Sequence, residues 1–188
     1  MMIGKDFKYK LVKNFLTQEE INLTNEYFKM KHRLNTNHFD ETQTTSSTCD
    51  SNWYADHLAE SFLLTKLKKM ELLTGKELWP TYAFARLYTY LATLHKHKDR
   101  PECEISVTVM VGSSGEEWPI YMDGKEFNLK PGDAAIYLGC EVEHWREEFN
   151  GDWHTQFFLH YVDKNGLYKD RIGDGRPLWG MQWNERSK

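Results

Sequence analysis

The sequence predicts a mainly β protein with helices at its N-terminal end, and three features support this class. The first third of the chain has apolar residues at helical spacing. After Pro80 the pattern changes to strand-like alternation, and turns rich in Gly, Pro and Asp divide it into short segments. Many short antiparallel strands of this kind form a sandwich or a jelly roll, and periodicity alone does not choose between the two.

Composition predicts one soluble domain. The chain has 188 residues, 40% of them hydrophobic, which suffices for a single buried core. It contains no apolar run near the roughly 18 residues of a membrane span, and its charged first ten residues argue against a signal peptide. A formal net charge of −4 argues against binding nucleic acid through bulk positive charge. The three cysteines are odd in number and far apart in the sequence, so we expect no disulfide framework. This fits a reducing compartment, and we expect a cytoplasmic location.

Two helices are predicted before the β region. Thr17 and Glu20 form a capping-box pair ahead of an apolar helical rhythm, which predicts a helix at about 17–33. A second helical rhythm covers about 54–73 and ends at Gly75. We expect this second helix to pack against a sheet.

At least six strands are predicted after the helices. Residues 105–111 alternate strictly, which indicates a strand with two faces of different character. Asp123-Gly124, between WPIYM and KEFNL, is the strongest hairpin signal in the chain. The other strand candidates are rich in aromatic and β-branched residues and cover about 82–90, 134–138 and 153–162.

Three segments are predicted to lie outside the sheets. Residues 35–52 are small and polar, which is typical of a surface loop that is either a lid or inert. Residues 113–118 form a turn. From about 164 onward the chain is glycine-rich and irregular, with Trp179 and Trp183 available to pin it to the body.

The most distinctive chemical pattern is HKHKD at 95–99. Residues two apart in an extended chain share a face, so His95, His97 and Asp99 can point to one side. His144 follows a later strand and could complete the cluster. Two imidazoles and one carboxylate are typical of non-haem Fe(II), whereas structural zinc takes a fourth protein ligand. The alternative is that HKHKD is a polar loop that binds no metal.

These residues and their neighbours resemble the 2-oxoglutarate/Fe(II) dioxygenase superfamily. The ordered set is Tyr88, Leu94, the H-x-D of His97-Lys98-Asp99, the distant His144 and a closing strand that ends in FLHYVD. Over about 54–168 the chain is most similar to the prolyl-4-hydroxylase-type branch, in particular to small stand-alone bacterial and phage members. The resemblance implies a double-stranded β-helix, that is, a distorted jelly roll, supported by two helices.

The resemblance also implies a division of the chain within a single dioxygenase-like domain over 1–188. Helical support would cover about 1–78, the jelly-roll core about 79–163 and an irregular tail 164–188. With no separate recruitment domain, substrate choice would rest chiefly on the segments 35–52 and 113–118.

The implied chemistry assigns roles to named residues. His97, Asp99 and His144 would be the catalytic metal ligands, with His95 as a competitor for the first position. Fe(II), the co-substrate 2-oxoglutarate and O2 would hydroxylate an unactivated C–H bond of a peptidyl (for example prolyl) or small-molecule substrate, releasing succinate and CO2. Halogenating relatives are implied to carry a small residue at the position of Asp99, so the carboxylate favours hydroxylation.

Two departures from the superfamily pattern stand out. Leu91 occupies a position after the tyrosine where glycine is common, so the bend there must be made differently. The arginine that normally receives the far carboxylate of 2-oxoglutarate lies nine to eleven residues past the distal histidine. Here those positions are Trp153, His154 and Thr155.

A dianionic co-substrate still needs a cation, and a guanidinium matches a carboxylate best. We expect Arg86 or Arg146 to supply it, ahead of Arg100, whose strand parity is opposite to that of Asp99. Hydrogen bonds to the co-substrate are expected from Tyr88, His154 and Gln156. Trp145, next to the distal histidine, could shield the iron from water. We expect Cys103 and Cys140 to be small buried residues near the site.

Two other classes of protein remain open. A cupin-like metal- or ligand-binding barrel without oxygenase activity would explain the missing arginine as loss of 2-oxoglutarate binding. A structural or partner-binding jelly roll would make the histidine-rich strand incidental.

Overall fold

The structure is a computed structural model that describes residues 7–34 and 50–181. Most of the predicted loop 35–52 therefore lies outside the described residues, as do Cys49 and Trp183. Among the helices of the described part, none combines the length and the apolar character needed to cross a membrane.

The predicted first helix is confirmed as α1, Gln18–Leu34. Its capping box forms in both directions, since the amide N of Glu20 donates to Oγ1 of Thr17 at 3.2 Å and the amide N of Thr17 donates to Oε2 of Glu20 at 2.9 Å. The helix start predicted from Thr17 and Glu20 is thus capped by both side chains.

The prediction of one further helix over 54–73 is wrong. The chain forms two helices, α2 (His57–Thr65) and α3 (Leu67–Thr74), separated at Lys66. Neither glycine nor proline occurs at the break, and the helical spacing of apolar residues continues across it. The sequence therefore shows no sign of the interruption. Gly75 does end α3, with a left-handed φ of 70°. The described residues therefore contain three α-helices instead of two.

The strands form two antiparallel sheets. Those of the described residues are β1 (Tyr9–Val12), β2 (Ser51–Tyr54), β3 (Leu78–Thr89), β4 (Leu94–His97), β5 (Ile105–Ser113), β6 (Ile120–Met122), β7 (Lys125–Phe127), β8 (Ala134–Tyr137), β9 (His144–Arg146) and β10 (Trp153–Asp163). The major sheet has the order β1-β8-β5-β10-β3-β2 and the minor sheet β4-β9-β6-β7. Two facing sheets with this crossed order form a jelly roll, which confirms the predicted mainly β class.

Strand β5 shows how the major sheet divides its two faces. Its apolar alternation, including Val107 and Val109, belongs to the core that packs against the helices. The intervening Ser106 and Thr108 are also fully buried and point to the interior between the sheets. The predicted difference between the two faces is therefore confirmed, and the second face is a buried polar interior.

The hairpin predicted at Asp123-Gly124 is confirmed between β6 and β7. Asp123 and Gly124 both have positive φ, 47° and 80°, as a type I′ turn requires. Because β6 also pairs with β9, with Met122 opposite His144, the hairpin supports the strand that carries the distant histidine.

The N-terminal and C-terminal segments are more closely tied to the sheets than their sequences indicate. Strands β1 and β2 come from the part expected to be helical support, and β2 includes Ser51 and Asn52 of the predicted loop. From the end of β10 to Met181 the chain is irregular apart from short 3-10 turns over Lys169–Gly175. Trp179 is 40% exposed, and the tail is anchored instead by a buried ion pair of Arg176 with Glu60 at 2.5 Å.

Candidate metal centre

Two histidines meet at the point where β4 pairs with β9. His97 ends β4, His144 begins β9, and the two residues are direct partners in the antiparallel register. Their ring centroids are 4.3 Å apart. A bulge between Leu94 and His97 disturbs the alternation of β4, and His95 is exposed. The structure thus brings His97, and not its competitor His95, to His144.

Asp99 completes the cluster from the segment after β4. Its Oδ1 lies 3.5 Å from Nε2 of His97 and 3.6 Å from Nε2 of His144. Its amide N donates to the carbonyl of Gly139 at 2.8 Å, and a Cβ at Gly139 would lie 2.5 Å from Asp99 Oδ2. Asp99 is therefore held against the loop that follows β8.

The two imidazoles are oriented by backbone carbonyls. Nδ1 of His97 donates to the carbonyl of His95 at 2.7 Å, and Nδ1 of His144 donates to the carbonyl of Val142 at 3.0 Å. Nδ1 of each ring is thus engaged with a carbonyl, so Nε2 is the nitrogen that each ring presents to Asp99 Oδ1. Fixing the ring and its tautomer in this way is how proteins orient metal-binding histidines.

The electrostatics of the cluster suit a divalent cation. Burial opposes the charge of Asp99, but the hydrogen bond from His97 and the neighbouring histidines outweigh it and lower its pKa. Burial lowers the pKa of His144. For His97, burial lowers the pKa, but hydrogen bonds to Asp99 and to the carbonyl of His95 raise it by more. The shifts thus favour a charged Asp99 and a neutral His144, and a metal ion would displace the proton that Asp99 favours on His97.

The donor set fits Fe(II). One ligand atom from each of His97, Asp99 and His144 lies within 4.8 Å of the others. All three residues line one side of a cavity of about 240 Å³. A metal held by these three atoms would keep positions open toward the cavity, as non-haem iron sites do. The rest of the cavity wall is largely aromatic and includes Tyr54, Tyr82, Phe84, Tyr88, Tyr137 and Phe158.

Two arginines lie in the interior between the sheets. Arg86 on β3 and Arg146 on β9 are 1% and 2% exposed. Nη2 of Arg146 donates to Oε1 of Gln156 at 2.8 Å, and Gln156 pairs with Arg86 in the register of β10 and β3. The Arg86 guanidinium lies 5.0 Å from the ring centroid of Tyr88. Four of the five residues expected to bind the co-substrate therefore form one group, of which Tyr88 lines the cavity and the other three lie behind it in the interior.

An acid accompanies the two guanidinium groups. Asp50 is 1% exposed, and its Oδ1 accepts from the amide N and Oγ1 of Thr89 at 2.7 and 2.8 Å. Burial raises the pKa of Asp50, while the bonds from Thr89 and the charge of Arg86 counteract the shift. Since Arg146 has no such acid beside it among its contacts in the described residues, the group of Arg86, Arg146 and charged Asp50 carries one net positive charge.

His154, the fifth expected residue, occupies one of the positions where the superfamily has its arginine. It pairs with Tyr88 across β10 and β3, and its ring packs against Trp118 and Phe149 at centroid distances of 5.1 and 5.9 Å. Burial and the charge of Arg146 hold its pKa well below the ordinary value. His154 is therefore neutral and supplies no positive charge at this position.

Arg100 lines the cavity on the other side of the metal cluster. Nη1 and Nη2 donate to the two carboxylate oxygens of Asp174 at 3.0 and 2.8 Å, and the guanidinium lies 4.5 Å from the ring centroid of Tyr82. Its strand parity with Asp99 is not informative, because both residues follow the end of β4. Arg100 is already paired with the carboxylate of Asp174, so it is not the arginine that we expect to bind the co-substrate.

The other residues singled out near the site have mixed outcomes. Cys103 is buried as expected, its Sγ lies 3.0 Å from the hydroxyl of Tyr82, and burial raises the pKa of its thiol. Cys140 is only partly buried. Trp145 stacks on Tyr121 at 5.2 Å and does not line the cavity, so it does not shield the metal cluster.

The bend after β3 is made with the conformation that glycine would take. Leu91 has a left-handed φ of 68°, a conformation that glycine adopts without steric cost. The turn is held on both sides, because the amide N of Leu91 donates to the carbonyl of Phe149 and the amide N of Phe149 donates to that of Ala92, each at 2.8 Å. The bulky residue is kept in a strained conformation by its neighbours.

Three residues around Asp99 were missed in the sequence. Ser106, Gly139 and His160 contact or closely approach its carboxylate. His160 lies in the closing strand that carries part of the superfamily resemblance, and its strand parity with the expected residues His154 and Gln156 was the only signal available for it. Ser106 and Gly139 had no such signal.

The fold is that of the 2-oxoglutarate/Fe(II) oxygenases of the prolyl-4-hydroxylase type. A prolyl-4-hydroxylase from Pseudomonas putida aligns with a TM-score of 0.66 and 14% identity over 84% of this chain and 94% of its own. A viral collagen prolyl hydroxylase from Paramecium bursaria Chlorella virus-1, in complex with 2-oxoglutarate, aligns with a TM-score of 0.62 and 9% identity over 83% and 96% of the two chains.

A third solved structure of the same fold is HygX from Streptomyces hygroscopicus, with nickel and 2-oxoglutarate bound. It aligns with a TM-score of 0.63 and 8% identity over 84% of each chain. No family model and no curated protein matches the sequence. The similarity is thus one of fold, and the chemistry must be argued from the residues of this chain.

Proposed function

We propose that the protein is an Fe(II)- and 2-oxoglutarate-dependent dioxygenase that hydroxylates an unactivated C–H bond. The observation that carries the proposal is the position of Asp99 Oδ1, 3.5 and 3.6 Å from Nε2 of His97 and His144, at the wall of a cavity. These three residues would hold the iron. Bound iron would supply, with 2-oxoglutarate and O2, the oxidation that yields hydroxylated product, succinate and CO2.

The protein's own contribution begins with the co-substrate. Arg146 and Arg86 would receive the far carboxylate of 2-oxoglutarate, with Gln156 and the Tyr88 hydroxyl as hydrogen-bonding partners. Arg146 lies two residues past His144 on β9, so its guanidinium is held in the same interior as the metal cluster. Arg146 would thus take the role of the missing arginine of the closing strand, where the neutral His154 lies.

The prime substrate would enter from the aromatic side of the cavity. Tyr54, Tyr82 and Phe158 line that side, and the charge of Arg100 there is balanced by Asp174. Such a wall excludes water and suits an uncharged peptidyl or small-molecule group. Solved structures of this fold contain both kinds of ligand, since one holds a peptide fragment and another holds hygromycin B.

A succinate assay tests the proposed function. The purified chain with Fe(II), 2-oxoglutarate and O2 is expected to release succinate, even without a prime substrate, and the Asp99→Ala variant is expected to release none above the protein-free level. Metal binding without succinate release or 2-oxoglutarate affinity would favour a cupin-like binding barrel. Absence of metal binding would favour a structural jelly roll.

A further inference from the structure

We propose that Ser106 and His160 are positioning residues that hold Oδ2 of Asp99, so that this carboxylate would bind the metal through Oδ1 alone. The proposal rests on the proposed function, because it assigns a role within the same metal site. It follows from the contacts on the side of Asp99 that faces away from the two histidine ligands.

Ser106 and His160 form a buried pair between β5 and β10. They are direct partners in the antiparallel register, and they are 0% and 5% exposed. Oγ of Ser106 lies 2.8 Å from Nδ1 of His160 and 3.4 Å from Oδ2 of Asp99. The pair thus connects the closing strand to the oxygen of Asp99 that does not face His97 and His144.

The proton arrangement follows from the neighbours of Ser106. A neutral imidazole carries a proton on only one of its ring nitrogens. When Nδ1–H of His160 donates to Oγ of Ser106, the hydroxyl proton of Ser106 can go to Asp99 Oδ2 at 3.4 Å, to the carbonyl of Cys103 at 3.0 Å or to the hydroxyl of Tyr137. A carboxylate accepts more strongly than a neutral carbonyl, so Asp99 is favoured.

Gly139 restricts Asp99 from another direction. A Cβ at this position would lie 2.3 Å from the carbonyl of Cys103 and 2.5 Å from Oδ2 of Asp99. The backbone of Gly139 therefore packs closely against the carboxylate and leaves no room for a side chain. Rotation of Asp99 that brought both oxygens toward the histidines would have to break the contact with Ser106. A carboxylate with one bound oxygen leaves an additional position for the co-substrate.

A second metal ion is a different use of the same residues. Asp99, Cys103 and His160 also offer ligand atoms within 4.8 Å of one another. However, Nδ1 of His160 is engaged with Ser106, and Sγ of Cys103 is engaged with the hydroxyl of Tyr82 at 3.0 Å. These hydrogen bonds favour the positioning role, and the number of metal ions bound per chain separates the two.

The test compares two isosteric amides at position 160. His160→Asn places an amide N–H near the former Nδ1, whereas His160→Gln places it near the former Nε2, and both variants bury one polar amide. Each protein is titrated anaerobically with Fe(II) and then with 2-oxoglutarate, and the coordination number is followed through the visible absorption of the Co(II)-substituted form. Ser106→Ala and Ser106→Thr are treated in the same way.

We expect His160→Gln and Ser106→Ala to weaken 2-oxoglutarate binding to the metal-loaded protein by about 10- to 100-fold, with an altered Co(II) spectrum. His160→Asn and Ser106→Thr are expected to restore binding to within about 3-fold of the wild type. Equal 2-oxoglutarate affinity in all four variants and the wild type would overturn the proposal, as would two metal ions per wild-type chain. A wild type that binds neither metal nor 2-oxoglutarate would instead contradict the proposed function.

Discussion

His97 and His144 are directly opposite each other in the pairing of β4 with β9, with ring centroids 4.3 Å apart. Both strands belong to the minor sheet, whose order is β4-β9-β6-β7. A slip of one residue in this register would turn one of the two rings to the opposite face. The metal cluster therefore depends on the same pairing that builds the minor sheet.

Removing one donor of the cluster is expected to abolish metal binding. Asp99→Ala and His144→Ala each delete one of three donor groups, and the affinity for Fe(II) should fall by at least 100-fold in isothermal titration under anaerobic conditions. His95→Ala is the matched control, because this exposed side chain lies two residues from His97 and only its backbone carbonyl is used. Wild-type affinity in Asp99→Ala, or a comparable loss in His95→Ala, would exclude this set of ligands.

A methyl group at position 139 is expected to displace Asp99. Gly139 does not have a positive φ, so Gly139→Ala introduces a clash with Asp99 Oδ2 and the carbonyl of Cys103 but no backbone strain. We expect a drop in Fe(II) affinity of about 10-fold or more. Gly112→Ala is the control, since this glycine also lacks a positive φ and the nearest atoms to its Cβ belong to the side chain of Asn25. Unchanged Fe(II) affinity in Gly139→Ala would show that Asp99 is not held by this loop.

The two interior arginines are expected to determine the affinity for 2-oxoglutarate. A hydrogen bond to a charged group contributes about 1.5–3 kcal/mol, so Arg146→Gln and Arg86→Gln should each raise the Kd for 2-oxoglutarate by about 10- to 100-fold. Arg100→Gln should leave this Kd unchanged, because Arg100 is paired with Asp174. If only Arg100→Gln weakens binding, the carboxylate is bound on the other side of the metal cluster.

The strained turn after β3 gives a prediction for stability. Leu91 has a φ of 68°, in the left-handed region. Glycine adopts this conformation without steric cost, whereas alanine adopts it only with a steric penalty from its Cβ. Both Leu91→Gly and Leu91→Ala remove the leucine side chain, so their comparison isolates the backbone effect. Urea denaturation should show Leu91→Gly to be more stable than Leu91→Ala by about 1 kcal/mol. The reverse order would mean that residue 91 does not adopt a left-handed conformation.

Buried His154 is expected to make the protein sensitive to acid. Its pKa in the folded state lies well below that of an unfolded chain, about 6.5, so the unfolded state binds the additional proton as the pH falls below that value. Stability contributed by neutral His154 is therefore present above about pH 6.5 and lost on acidification, by up to about 1.4 kcal/mol per pH unit.

The variant His154→Phe isolates this contribution. The free energy of unfolding of metal-free protein, measured in urea between about pH 6.5 and 5, should fall less steeply in the variant than in the wild type. Only the slopes are compared, since the new ring also changes packing. Equal slopes would indicate that His154 is protonated, or accessible to protons, in the folded state.

The sequence was most informative where local pattern and chain order sufficed. The capping box at Thr17, the Asp123-Gly124 turn and the alternation of β5 are each set by neighbours in the chain, and each was predicted correctly. The grouping of His97, Asp99 and His144 could be anticipated because the H-x-D spacing and the later histidine match a known order.

Features that depend on pairing between distant segments were not predictable in this way. The contact of Ser106 with His160 arises from the β5–β10 register, and the close approach of Gly139 to Asp99 arises from a loop in another part of the chain. Strand parity failed for His95 and Arg100, because β4 contains a bulge and ends before Arg100. Periodicity has no means of showing where a strand is interrupted.

The most direct test of the account is anaerobic titration of the purified chain with Fe(II) in the presence of 2-oxoglutarate. We expect one Fe(II) per chain and a visible charge-transfer absorption that appears only when Fe(II) and 2-oxoglutarate are both present and is absent in Asp99→Ala. A protein that binds no Fe(II), or develops the same absorption without Asp99, would contradict it.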